Sequence, residues 1–313
     1  MKILVTGAAG FIGSHTAEAL HALGHQVIGV DNFSSHYDVD LKKLNETSLR
    51  TLQIPVIHKN LNDLDLPEVL PKDINYIFHF AAQPGISSTS TFKDYLDNNV
   101  LATKALVDYA LELPDLKLFV NISTSSVYGL EATHPEDAPA KPVSFYGVTK
   151  LAAEQLVLQQ SRCHNLKSCS LRLFSVIGPR ERPEKMFAKL IKLGLEGKPF
   201  PLFEGSDKHL RSFTFVGDIV DGIVSVIGKE SILNGEILNL GSDKDFTTGY
   251  GIEVVEQVIG QPIRLNIIPK RPGDQFRTKA IIDKARDVLE YHPKTSLLKA
   301  VEQQVAWYKA NFM

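Results

Sequence analysis

The chain has 313 residues, of which 43% are hydrophobic and 22% charged, with a net charge of −2. That supplies enough apolar material for a large buried core, and the near-balanced charge excludes a nucleic-acid binder that works by neutralising backbone phosphates. Two cysteines, Cys163 and Cys169, lack metal-site spacing and any disulfide framework, and read as small buried residues. In chain order, residues 2–6 (KILVT) form a short apolar strand and residues 11–23 a helix with Ile12, Ala19, Leu20 and Leu23 near one face. Residues 26–30 make a second strand that ends at Asp31. Further strands are expected at 55–58, 76–80, 116–122 and 169–174, with helices at 98–112 and 145–163. Continuous apolar strands separated by helices predict an α/β fold, a doubly wound parallel sheet covered on both faces.

Beyond residue 177 the pattern becomes irregular, punctuated by Gly178-Pro179, Pro183, Gly205, Gly241 and Pro272-Gly273. The expected division is a Rossmann-type domain over 1–177 and a smaller α/β lobe over 178–313. Segments such as 213–230 and 236–243 are expected to pack back onto the first domain, and 297–312 reads as an amphipathic final helix. No run approaches the ~18 apolar residues of a membrane span. The start, MKILVTGAAG, lacks a basic segment and cleavage site. The expectation is a soluble cytoplasmic protein with neither membrane nor nucleic acid as a partner, and with no metal site.

Gly7-Ala8-Ala9-Gly10-Phe11-Ile12-Gly13 joins the first strand to the first helix. A turn this tight needs residues without a Cβ penalty. The bare backbone then lets a pyrophosphate approach the N–H groups of the helix start, where the dipole favours negative charge. Gly13 would let the helix lie close to the sheet. Asp31, at the end of the second strand, completes the context that a dinucleotide site requires. It would accept hydrogen bonds from the adenosine ribose and repel a 2′-phosphate, so NAD is expected rather than NADP.

Tyr146 and Lys150 stand four apart at the start of a predicted helix, so they share a face. An ammonium beside a phenol stabilises phenolate, and the expected tyrosine pKa is lowered. Such a tyrosine would exchange a proton with a substrate hydroxyl. The preceding strand ends in a hydroxyl cluster, Ser123-Thr124-Ser125-Ser126, at the edge where parallel sheets bind ligands. Thr124 would hydrogen-bond the reacting oxygen.

Together these features resemble the extended short-chain dehydrogenase/reductase family, and within it the nucleotide-sugar 4-epimerases of the UDP-glucuronate 4-epimerase-like branch. The resemblance spans essentially the whole chain. It implies catalytic roles for Thr124, Tyr146 and Lys150, and a resident NAD. The cofactor would contact Gly7, Gly10, Phe11, Ile12, Gly13, Asp31, Asn32, Phe33 and the strand end Phe80-Ala81-Ala82-Gln83, with Asn99 as a supporting residue. Near the adenine the family commonly has Asp before a hydrophobic residue, whereas this chain has Asn60-Leu61. On the substrate side the resemblance assigns Thr124, Ser125, Ser126, Ser175, Arg182, Phe203 against the uracil, and Arg211, Arg271 and Asp274 on the diphosphate and ribose. Ser175 stands where the glucuronate branch tends to have Thr, and the acid that follows Arg182-Pro183 is Glu184. A homodimer through the 98–112 and 145–163 helices is also implied.

Dehydratases and decarboxylases of this family typically carry acids directly after the catalytic threonine, where this chain has Ser125 and Ser126. The expected reaction is therefore epimerisation at C4 of a UDP-sugar through a transient 4-keto intermediate, with UDP-glucuronate and UDP-galacturonate as the expected pair. A 4-keto-sugar reductase and a 4,6-dehydratase remain open alternatives. From a different class, so does a non-catalytic NAD-binding sensor protein.

Overall fold

The computed structural model describes residues 1–86, 89–270 and 275–313. Seven parallel strands form the main sheet: β1 (Lys2–Thr6), β2 (Gln26–Asp31), β3 (Val56–His58), β4 (Tyr76–His79), β5 (Leu118–Thr124), β6 (Ser168–Leu173) and β7 (Ile237–Leu240). Their order across the sheet is β7-β6-β5-β4-β1-β2-β3. The direction of winding reverses between β1 and β4, and the crevice beyond the carboxyl ends of strands at such a reversal is where open α/β sheets take ligands.

The alternation of the strands assigns each face its helices. Ile3, Val5, Phe78 and Val120 share one cluster with Ala17 and Leu20 of helix α1 (Phe11–Ala22). Leu4, Ile77 and Phe119 point the other way, into a cluster with Leu106 and Val107. All seven residues of β5 are buried, as expected of a central strand covered on both faces. The first cluster also takes Val216, Ile219 and Ile223, from a helix that follows much later in the chain. A third cluster, with Phe187, Leu190, Phe213, Ile252 and Val301, contains no residue of the main sheet.

The remaining helices used below are α2 (Val39–Thr51), α3 (Ala102–Leu111), α4 (Phe145–Arg162), α5 (Met186–Leu195), α6 (Val216–Val224), α7 (Thr248–Ile259) and α8 (Leu297–Phe312). The helix expected over 98–112 is interrupted at its start, because Leu96–Leu101 winds as a π-helical turn before α3 begins. Such turns cluster at functional sites, and this one carries the buried Asn99. Helix α2 was not expected. Its inward residues include Lys42, Asn45 and Glu46 beside Leu49, a polar buried face that yields no apolar stripe to read. Cys169 is buried in β6, but Cys163 corrects the expectation: it caps the exposed end of α4, where its Sγ accepts a hydrogen bond from Gln159 Nε2 at 3.2 Å. Among the described residues, no helix is long and apolar enough to cross a membrane, and no cluster of His, Cys, Asp or Glu is able to hold a metal ion.

Candidate active site

The glycine turn sits between β1 and α1 as a surface of bare backbone. Gly7 has φ +68, and a Cβ there would stand 2.8 Å from the Ala81 nitrogen. A Cβ on Gly13 would come within 2.2 Å of the Gly7 carbonyl oxygen, so this helix lies against the turn at a distance only glycine permits. Gly10 caps α1 without a side chain, which leaves the first helical N–H groups, at Phe11, Ile12 and Gly13, to meet an anion. The rim is held by short polar links. Asn45 Nδ2 donates to the Ala9 carbonyl at 2.9 Å, and Thr6 Oγ1 accepts from the Ala81 nitrogen at 3.2 Å. His79 sits between the hydroxyls of Thr6 and Thr103, at 2.8 Å from each. Burial presses its pKa down to about 3, so it is a neutral strut.

Asp31 is buried at the end of β2. Its carboxylate accepts from Ala9 N at 3.1 Å and Phe33 N at 2.8 Å, with the Lys42 ammonium 3.5 Å away. Asn32 turns its side-chain oxygen onto Ser34 N. Phe33 has a left-handed φ of +50 and stacks on His58 with ring centroids 4.1 Å apart. Leu61 belongs to the core, and Asn60 Oδ1 accepts from Asn62 N. Past β4, Phe80 and Ala82 continue toward Gln83, whose backbone N–H donates to Asn99 Oδ1 at 2.7 Å. Asn99 Nδ2 also donates to Thr149 Oγ1 at 2.9 Å, and so ties the β4 loop to α4.

Ser144 caps α4 by accepting from Gly147 N, and this places Tyr146 and Lys150 on the helix face that looks at the end of β5. Thr124 Oγ1 accepts from Ser126 N at 3.2 Å, which leaves its hydrogen for the Tyr146 phenol. The tyrosine corrects the sequence expectation in direction: burial raises its pKa, and this outweighs the lowering by the Thr124 side chain, the Arg182 charge and the Gly85 backbone. Lys150 does not figure among those influences. Lys150 is itself 3% exposed, and burial pushes its pKa down to about 8 against the pull of Glu154 one turn later. Among the described residues its ammonium has no hydrogen-bond partner. A buried lysine without a hydrogen-bond partner fits a ligand that brings hydroxyls.

Beside Thr124, Ser125 is buried and Ser126 half-buried. Ser175 follows β6 with φ +23, and its hydroxyl lies 3.3 Å from Thr278 Oγ1. Arg182 reaches Gly85, where an added Cβ would meet its Nη2 at 3.2 Å, and pairs with Glu184. Its charge is felt at Tyr146, His36 and Tyr37. Phe203 ends the short strand Phe200–Phe203. Arg211 lies farther along, its guanidinium donating to the carbonyls of Leu210 and Gln275. Arg271 and Asp274 lie outside the described residues. The structure thus brings Thr124 and Arg182 to the Tyr146 phenol, with Lys150 one turn along the same helix, while Arg211 and Phe203 lie on short strands outside the main sheet.

Residues 3–241 match the family model described as the NAD dependent epimerase/dehydratase family. The chain belongs to this family. At 37% identity it is similar to an uncharacterized UDP-glucose epimerase of Bacillus subtilis, over 98% of both chains. At 30% identity it is similar to UDP-glucuronate 4-epimerase 4 of Arabidopsis thaliana, over 98% of this chain and 75% of the relative. Among solved structures, UDP-glucuronic acid 4-epimerase from Bacillus cereus, in complex with UDP-glucuronic acid and NAD, matches with a TM-score of 0.94 at 35% identity over the whole of both chains.

In this epimerase/dehydratase several site residues have no local sequence signal. Lys42 reaches Asp31 from α2, and Asn45 supports the turn from the same helix. His36 Nδ1 lies 2.7 Å from Gln83 Nε2, and His36 Nε2 is 4.0 Å from Glu184. Lys42 sets a positive charge beside Asp31 on that rim. Its inward position on α2, at i and i+3 with Asn45, is visible only once that helix is known.

Proposed function

We propose that this protein epimerises a UDP-sugar at C4, with NAD as resident cofactor and UDP-glucuronate and UDP-galacturonate as the interconverted pair. The observation that carries the reading is the meeting of Thr124 and Arg182 at Tyr146 near the end of β5, with Lys150 one helical turn on and with serines rather than carboxylates at 125 and 126. The bare turn Gly7–Gly13 and the uncapped α1 N-terminus would hold the pyrophosphate, Asp31 and Lys42 the adenosine ribose, and Lys150 the nicotinamide ribose. When bound, NAD would supply the hydride acceptor and donor for C4.

The protein's own part is proton handling and orientation. Tyr146 takes the C4 hydroxyl proton and gives it back, with Thr124 as the hydrogen-bond bridge. Burial favours the neutral phenol, and the Thr124 hydrogen bond and the Arg182 charge bias it toward phenolate. Ser125, Ser126, Ser175 and Arg182 are the groups available to a C6 carboxylate, and a guanidinium fork suits its two oxygens. Elimination of water across C5–C6 needs an acid–base pair there, which the serines do not provide.

The test is a panel of UDP-sugars incubated with the protein as purified, without added NAD(H), and read by NMR for C4 configuration. Sustained interconversion of the two uronates is expected. Stoichiometric consumption of added reduced cofactor, with no turnover in its absence, would instead mark a reductase. We further propose a homodimer built on α3 and α4. Phe145 and Val148 of α4 are exposed, as are Leu101 just before α3 and Phe92 on the short helix Phe92–Tyr95, and Phe92 and Phe145 meet edge-on at 5.2 Å. Light scattering should return twice the chain mass, and Val148→Asp with Leu101→Glu should halve it.

A further inference from the structure

Arg182 is carried by the short segment between β6 and α5, and that segment is fastened on its far side by residues with no place in the reaction. His15 Nε2 lies 3.0 Å from the Pro179 carbonyl oxygen. A carbonyl only accepts, so Nε2 bears the hydrogen. Burial, with the Arg180 charge alongside, holds the imidazole down at about 4 and therefore neutral near pH 7. Arg180 Nη1 donates to Ser14 Oγ at 3.2 Å, and Nη2 to Glu18 Oε1 at 2.8 Å. Ser14, His15 and Glu18 all stand on the first turns of α1, directly after the glycine cradle.

The backbone conforms to this clasp. Arg180 has φ +69, a left-handed conformation that non-glycine residues hold only when their surroundings enforce it. The next residue, Glu181, is buried and grips the other lobe, its Oε2 accepting from Ala188 N of α5 at 3.2 Å and from Gln304 Nε2 of α8 at 2.8 Å. Consecutive residues thus bolt the segment to the cofactor helix and to the substrate lobe, and Arg182 leaves that joint with its direction set toward Gly85 and Tyr146.

We infer that Arg180, backed by His15, is a positioning residue that seats Arg182 at the sugar end of the cleft by clamping the substrate segment onto α1. The inference rests on the proposed UDP-sugar chemistry only for what Arg182 holds.

The decisive variant is Arg180→Gly, because glycine is at ease at this φ and the side chain is removed without backbone strain. Amide exchange over residues 181–187 should quicken at least tenfold. KM for the UDP-sugar that the wild type turns over should rise at least tenfold with kcat within threefold, while Kd for UDP alone stays within twofold and NAD content is unchanged. Glu18→Gln should move the same readings by less, and Arg180→Lys should recover part of the loss. Unchanged exchange overturns the inference, as does an equal weakening of UDP and UDP-sugar. Failure of the wild type on UDP-glucuronate would fault the substrate reading alone, since exchange and the comparison with UDP still decide the clamp.

Discussion

On the cofactor side of the cleft, recognition is built from absent side chains: Gly7, Gly10 and Gly13 leave a backbone surface, and short residues such as Thr6, Asn45 and Asn99 hold it in place. On the sugar side it is built from a long charged one, with Arg182 projecting from an irregular segment beside its partner Glu184. The first kind of surface tolerates no added atom. The second tolerates local change but depends on whatever aims its side chains. Rigidity in one half and support in the other are different vulnerabilities, and substitutions can separate them.

The largest effect should fall at the seam between the halves. Tyr146→Phe removes the proton acceptor that both halves serve, so turnover should drop by about 10²-fold or more while bound NAD and UDP-sugar affinity persist. Loss of NAD in that variant would make Tyr146 part of the cradle and blur the comparison.

Lys150 comes next, and its effect has opposite signs for stability and activity. The gap between an ordinary 10.5 and about 8 corresponds to a burial cost on the order of 3 kcal/mol while the ammonium is charged. Below pH 8 that cost is present in full. Between pH 8 and 10.5 the folded protein sheds the proton while the unfolded chain keeps it, so stability rises with pH. In NAD-free protein Lys150→Met should therefore be the more stable form at pH 7 by denaturant titration, and the advantage should shrink toward pH 10. The same variant should lose turnover. A Lys150→Met protein less stable than the wild type at pH 7 would show that the ammonium is satisfied in the folded state.

Arg182→Ala should raise KM for a UDP-uronate by about 10- to 100-fold, the range of a charge-assisted hydrogen bond, and leave NAD content alone. An equal loss for a neutral UDP-hexose would remove Arg182 from carboxylate recognition. Gly13→Ala tests the other half. Its methyl would press on the Gly7 carbonyl, at a cost of about 1–3 kcal/mol, so Tm and co-purified NAD should both fall. Retention of a full complement of NAD would show the cradle to be adaptable after all.

The parts legible in the sequence were those written contiguously. The glycine turn, Asp31 at the strand end and Tyr146 with Lys150 each lie within one strand–turn–helix unit, so local spacing alone suggests their geometry. What escaped depends on burial or on distant partners. The direction of the Tyr146 shift follows from how deeply the phenol is enclosed, which periodicity does not report. Helix α2 hides because its inward face is polar, and it hides Lys42 with it. Arg180 meets Ser14 and Glu18 from the other end of the chain, and no motif links them. Cys163 was read as buried from its residue type, yet it lies one residue past the last turn of α4, where the chain emerges into solvent.

The edge strand β7 pairs with β6 but follows it in the chain by more than sixty residues, after α5, the strand carrying Phe203 and α6. During synthesis, then, the outer edge of β6 stays bare until residue 240 has left the ribosome, although every residue of the dinucleotide turn and of the catalytic helix is already out. An exposed strand edge invites pairing with other chains. This polypeptide therefore passes through an interval in which its chemistry-bearing half is translated but unsealed, and a ribosome stalled before residue 237 would release a fragment prone to aggregate.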